Sequence, residues 1–188
     1  MRTVKRVFSL VPLLLLWLML CVLVWGFVFT RITDTAPENK IVLWVNAPVP
    51  RATEMAVQLE EKLEGRIKMV QVRPFGYALM GADSIKNADL YIVRAADVDT
   101  YRDWFAPLPA ALQEECTLSR EGVPLGITVF SAADGFGVAE EYIEYETPQE
   151  NAQNYYLLVG ASSLHNPEAE NAVDSLAVDA ARLLLNMP

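Results

Sequence analysis

Hydrophobic and polar positions divide the chain into an apolar block, a short polar stretch and a long patterned region. Val7 to Thr30 reads VFSLVPLLLLWLMLCVLVWGFVFT, twenty-four residues without a charge. At about 1.5 Å per helical residue this predicts a helix of roughly 36 Å, enough to cross a hydrocarbon core of about 30 Å with some tilt. Arg2, Lys5 and Arg6 precede it. The positive-inside rule then predicts a cytoplasmic tail at residues 1–6, a single membrane-spanning helix at 7–30, and everything after it outside the membrane. A cleaved secretory signal is the rival reading, but signal cores are shorter, about 7–15 residues, and end in a small-x-small site. The nearby Asp34-Thr35-Ala36 puts an acid at the outer small position. Leu18-Met19-Leu20-Cys21 resembles a lipoprotein anchor motif, except that bulky Leu20 stands where Gly or Ala is expected.

Residues 31–40, with the polar TDTAPENK at 33–40, suit a tether to a domain at 41–188. Ile41 to Val45 (IVLWV) is a continuous apolar run of strand length, as in a strand buried on both faces. Thr53 to Glu64 predicts a helix with Met55, Leu59 and Leu63 on one face and Gly65 as its stop. Ile67 to Val72 alternates as a second strand, Arg73 to Tyr77 forms a turn, and Ala78 to Lys86 is weakly helical. Ala88 to Val93 is a third strand, and Asp97 to Trp104 a short helix. Gly126 to Phe130 and Asn154 to Gly160 read as strands, while Val138 to Glu146 fits either an exposed strand or a helix. Asn166-Pro167-Glu168 carries an N-cap, a first-turn proline and an acid, and predicts a terminal helix running through Val173, Leu176, Ala180 and Leu184. Strand, helix, strand, helix, strand at this spacing predicts an α/β domain built on one mainly parallel sheet with helices on both faces.

Composition changes this picture in two ways. After residue 30 there are twelve basic residues against 24 acidic ones, a net charge of −12, which argues against nucleic acid as a partner and against close contact with anionic lipid. Outside the apolar block Cys116 is the one cysteine, so there is no disulfide framework and the domain must hold by packing.

The phrases IVLWVNAPVPRATEMAVQLEEKLEGRIKMVQV at 41–72 and NADLYIVRAADVDTYRDWFAPLP at 87–109 resemble the opening lobe of bacterial extracellular solute-binding proteins. Leu125-Gly126-Ile127, and Leu158 to Ser163 followed by Asn166-Pro167-Glu168, resemble later phrases of that family. The resemblance implies a periplasmic-binding-protein-like single lobe, a small polar solute as ligand and an ABC importer as partner. These receptors have two lobes, and the domain here has the length of about one.

An open parallel sheet presents its ligand crevice at the carboxyl ends of its strands. There the chain carries Asn46, Arg73, Phe75, Tyr77, Arg94 and Asp97, which could give a sugar, peptide or other polar solute hydrogen bonds, charge and an aromatic platform. The same residues could instead pack the turn, with the two arginines paired to surface acids. Trp44 suits the core. His165 is the only histidine and suits helix capping or the surface; Ser162 and Ser163 lack a nucleophile-elbow setting. Glu140, Glu141, Glu144, Glu146 and Glu150 form an acidic strip without a His or Cys companion. No catalytic residue, metal site or cofactor is predicted, and an envelope protein–protein interaction domain is the alternative to a solute receptor.

Overall fold

The computed structural model describes residues 12, 14–26, 28, 35–75, 83–146 and 153–188. The chain divides into two compact units, Met1–Thr35 and Ala36–Pro188. In the first, residues 14–26 are helical and their large apolar side chains are exposed. Among the described residues no helix is long and apolar enough to cross a membrane. The expected tail at 1–6, both ends of the expected span at 7–30 and the first tether residues lie outside the described ones.

The second unit is a mixed α/β domain on one sheet. It opens with β1 (Lys40–Val45), α1 (Ala52–Lys62), β2 (Met69–Pro74), the one-turn α2 (Asp83–Lys86), β3 (Leu90–Arg94) and the one-turn α3 (Ala95–Val98). After it come β4 (Leu118–Arg120), β5 (Val123–Ser131), β6 (Phe136–Gly137), β7 (Tyr155–Val159) and α4 (Leu176–Leu185). Among the described residues the sheet has seven strands in the order β2-β1-β3-β7-β5-β4, with β6 on β5.

Only the first half is parallel: β1 pairs in parallel with β2 and β3. β7 enters between β3 and β5 antiparallel to both, and β4 and β6 are antiparallel to β5. The expectation of a mainly parallel sheet is therefore corrected. The helical crossovers that force parallel pairing stop at β3; beyond it β4, β5 and β6 follow one another in hairpins, and β7 comes in after residues 138–154 antiparallel to both its neighbours. The β4–β5 hairpin, whose first strand the sequence pattern does not predict, turns through Glu121 and Gly122 at φ +52° and +80°, the backbone that two-residue hairpin turns require.

Strand alternation sorts the core into two layers. Ile41, Leu43 and Val45 of β1, Leu90 and Ile92 of β3, and Tyr155, Leu157 and Val159 of β7 face one side with Met55, Leu59 and Leu63 of the α1 segment and Leu176, Ala180 and Leu184 of α4. Each fully buried aliphatic side chain contributes roughly 1.5–3 kcal/mol. Trp44, Tyr91, Val93 and Leu158 face the other side, where Ile85, Val98 and Phe105 join them. Full helices thus cover one face; the other carries the single turns α2 and α3 and the stacked rings of Tyr101 and Trp104, 4.5 Å apart. A bulge between Thr128 and Phe130 lets Val129 and Phe130 both reach the first layer.

Two further expectations shift. The terminal helix starts at Leu176, ten residues beyond Asn166. The capping signature is spent on a local turn, in which Asn166 Oδ1 accepts from Glu168 N–H at 3.1 Å. Val138 to Glu146 is neither strand nor helix: it is an irregular segment that buries Tyr142, Ile143 and Tyr145 and exposes its glutamates.

β2 is an edge strand. Glu60 Oε1, reaching from α1, accepts from Val70 N–H at 2.6 Å, and Pro74 has no N–H, so two of the outward-facing amide positions along β2 are withdrawn from pairing.

Candidate functional site

β1 and β3 run in parallel and end side by side. Asn46 follows β1, with its N–H donating to Ile92 O at 2.7 Å, and Phe75 follows β2, with its N–H donating to Val45 O at 2.7 Å. Ala47-Pro48-Val49-Pro50 then leads to α1; two prolines fix φ and stiffen the wall. Arg94 closes β3, and α3 places Asp97 three residues on, over the strand end. The segment at 144–146 is drawn across by Glu144 N–H, which donates to Pro48 O at 3.0 Å.

These segments enclose a cavity of about 600 Å³ whose lining includes Asn46, Pro48, Val49, Phe75, Arg94, Asp97 and Glu146. Cavities that hold small organic ligands span about 300–1,000 Å³. Asp97 Oδ2 accepts from Asn46 Nδ2 at 2.6 Å and from Arg94 Nε at 2.9 Å. Arg94 Nη1 lies 3.4 Å from Glu146 Oε1. Burial opposes the guanidinium charge, but the Asp97 hydrogen bond and the charges of Asp97 and Glu146 outweigh it and raise the Arg94 pKa. The Arg94 and Asp97 side chains keep 30% and 24% of their surface exposed, so donor and acceptor remain open to solvent, side by side, against an apolar wall.

Four of the six expected site residues, Asn46, Phe75, Arg94 and Asp97, come together here. Arg73 does not: it pairs with Trp44 in register, holds its guanidinium 5.7 Å from the Trp44 ring centre and donates to Gln71 Oε1 at 2.8 Å. The two-residue strand period turns it onto the aromatic face. Tyr77 lies outside the described residues. Phe75 also packs, with ring centres 5.9 Å from Trp44 and 6.2 Å from Tyr101, and Arg94 does pair with acids, so the packing reading is realised together with the cavity. The sequence places Glu146 only in the acidic strip; no local signal puts it across from Arg94, 52 residues away.

A second polar cluster occupies the opposite, amino ends of β1 and β3. Asp89 is 5% exposed, Ser163 1%, Asn166 1%, and His165 is fully buried, against the expectation of a capping or surface histidine. Asp89 Oδ2 accepts from Val42 N–H at 2.8 Å and Oδ1 from the Ser163 hydroxyl at 2.6 Å. Ser163 Oγ accepts from His165 N–H at 3.1 Å. The His165 ring places Nδ1 2.8 Å from Asp174 Oδ1, and Nε2 3.0 Å from Lys40 O and 3.3 Å from Pro37 O. Desolvation pushes the Asp89 carboxyl up, against the pull of its two donors. The loop is held close: Gly160 N–H donates to Asp89 O at 2.8 Å, and a Cβ on Gly160 would run into the Ala88 carbonyl oxygen. Among the described residues the ring nitrogens face Asp174, Lys40 and Pro37 rather than a serine hydroxyl. A cavity of about 240 Å³ opens beside the cluster, with Pro37, Lys40, Asp89 and Ser162 in its wall.

No protein-family model matches the chain, and no curated protein matches it. Among solved structures, one similar chain is the N-glycan transport solute binding protein (NgtS) from Streptococcus pneumoniae in complex with Man1GlcNAc, at 14% sequence identity and a TM-score of 0.30. The likeness covers 50% of this chain and 25% of that chain, and at this level it carries no argument for function.

Proposed function

We propose that the unit at 36–188 is a solute-binding-like domain that takes a small polar solute at the carboxyl ends of β1, β2 and β3. The observation that carries this reading is the cavity of about 600 Å³ in which Asn46, Arg94 and Asp97 converge beside Phe75 and two prolines. One guanidinium faces two carboxylates there, which leaves one net negative charge, so a hydroxylated, zwitterionic or cationic solute fits better than an anion. In the same reading residues 7–30 anchor the chain, residues 1–6 stay in the cytoplasm, and the domain works outside the membrane as a receptor or accessory of an ABC-type importer.

Thermal unfolding of the full-length chain in detergent micelles, against panels of sugars, amino acids, short peptides and divalent cations, tests the site. A ligand of the folded state adds about 2.7 kcal/mol at a hundredfold excess over Kd. The expected result is an upward shift with one class of polar solute that Arg94→Ala abolishes. No shift across all panels would sink the receptor reading.

A second reading, a non-catalytic interaction domain of the cell envelope, is favoured by one observation. Asn46, Arg94, Asp97 and Glu146 already satisfy one another, while Glu140, Glu141 and Glu144 next to them are exposed. On that reading the acidic segment meets a basic protein surface, and pull-down of a partner would depend on these glutamates and on low salt.

A further inference from the structure

His165 is the one histidine of the chain, it is fully buried, and both ring nitrogens face oxygens that accept. Lys40 O and Pro37 O are backbone carbonyls and cannot donate. Asp174 Oδ1 already accepts from Leu176 N–H at 2.9 Å, so it too acts as an acceptor. A neutral imidazole has one N–H and one lone pair; buried here, its lone pair would point at a carboxylate or a carbonyl. Only the imidazolium donates at both nitrogens. Its partners lie on segments far apart in the chain: Pro37 and Lys40 at the start of the domain, Asp174 just before α4, and Asp89, through Ser163, at the start of β3.

We propose that His165 is a proton-operated latch: its imidazolium ties residues 37–40 to the loop bearing Ser163 and to Asp174, and loss of one ring proton frees the start of the domain. The charged groups set around the ring are Asp174, Asp89 and Lys40, the last presenting its carbonyl. Burial alone would lower the ring's pKa; the Asp174 hydrogen bond, the charges of Asp89 and Asp174 and the Lys40 carbonyl outweigh it, and the pKa is raised. A folded value above the unfolded one gives stability that is complete below the ordinary histidine range, about 6.5, and is lost as pH rises through the folded value. Pro37 and Lys40 are also walls of the smaller cavity, so release of the latch unroofs it.

The test uses the full-length chain, ¹⁵N-labelled, in detergent micelles. One histidine means one pair of ring nitrogen signals. Both are expected to be protonated at the acid end of the titration and to change together with a pKa above the ordinary histidine value. Cleavage after Lys40 by a lysine-specific protease, relative to cleavage after Lys62 in the same digest, is expected to rise several-fold across that titration. His165→Gln should remove the step. A ring that titrates at or below the ordinary histidine value would overturn the proposal, and so would a Lys40 to Lys62 cleavage ratio that stays constant across the titration. Should His165→Gln fail to fold, the wild-type titration and cleavage ratio still decide.

Discussion

At the carboxyl ends of β1 and β3, Asp97 accepts from Asn46 and Arg94 beside an open cavity, and a quarter of its side chain meets water. At the amino ends of the same strands, Asp89 accepts from Val42 N–H and the Ser163 hydroxyl with 5% of its surface exposed. Both are carboxylates with two donors, one beside Arg94 and the other near the His165 ring. They differ in what replaces a lost partner. Water can take the place of any group at the open end, so its interactions cost little to break and can be exchanged for those of a solute. At the closed end a removed acceptor leaves its donors bare, so the same chemistry fastens the fold.

That contrast can be broken by substitution, with the largest effect at the closed end. Asp89→Ala strips the acceptor from Val42 N–H and Ser163, each loss at about 1–3 kcal/mol, and chemical denaturation should show a fall of roughly 3 kcal/mol. A fall below 1 kcal/mol would mean that water enters and that the two ends are alike. Gly160→Ala comes next. Its methyl must push the Ala88 carbonyl aside, an overpacking strain of about 1–3 kcal/mol, read as a lower denaturation midpoint with an unchanged slope. Asp97→Ala should cost less than about 1 kcal/mol of stability, as expected for a partly exposed pair. Its larger effect should be on any solute bound in the cavity, about tenfold in Kd for one lost charge-assisted hydrogen bond, or about 1.4 kcal/mol.

What could be read from the sequence follows the reach of each signal. The apolar runs at 41–45, 88–93 and 154–160 and the Met55, Leu59, Leu63 face are local, and all became strands or the packed face of a helix. Alternation has no direction, however, and nothing within NYYLLVG at 154–160 says that β7 runs against β3, 60 residues earlier. Asn166-Pro167-Glu168 shows the limit of a capping signature: the turn it favours formed, and the chain then rose through Val173, whose N–H donates to Leu164 O at 2.7 Å, before α4 began. At the site, Asn46, Phe75, Arg94 and Asp97 follow from strand ends alone. Glu146 and the His165 contacts with Pro37 and Lys40 depend on segments separated by 52 to 128 residues, which no local pattern encodes.

The Glu60 carboxylate on Val70 N–H and the proline at 74 shape how copies of this protein meet one another. An open strand edge is a template for further strands, and copies crowded at high density would zip edge to edge into fibrils. Here one helix side chain occupies the template and one imino acid interrupts it. On the β2 side the ladder is interrupted at these two positions, which disfavours edge-to-edge pairing of copies through that strand.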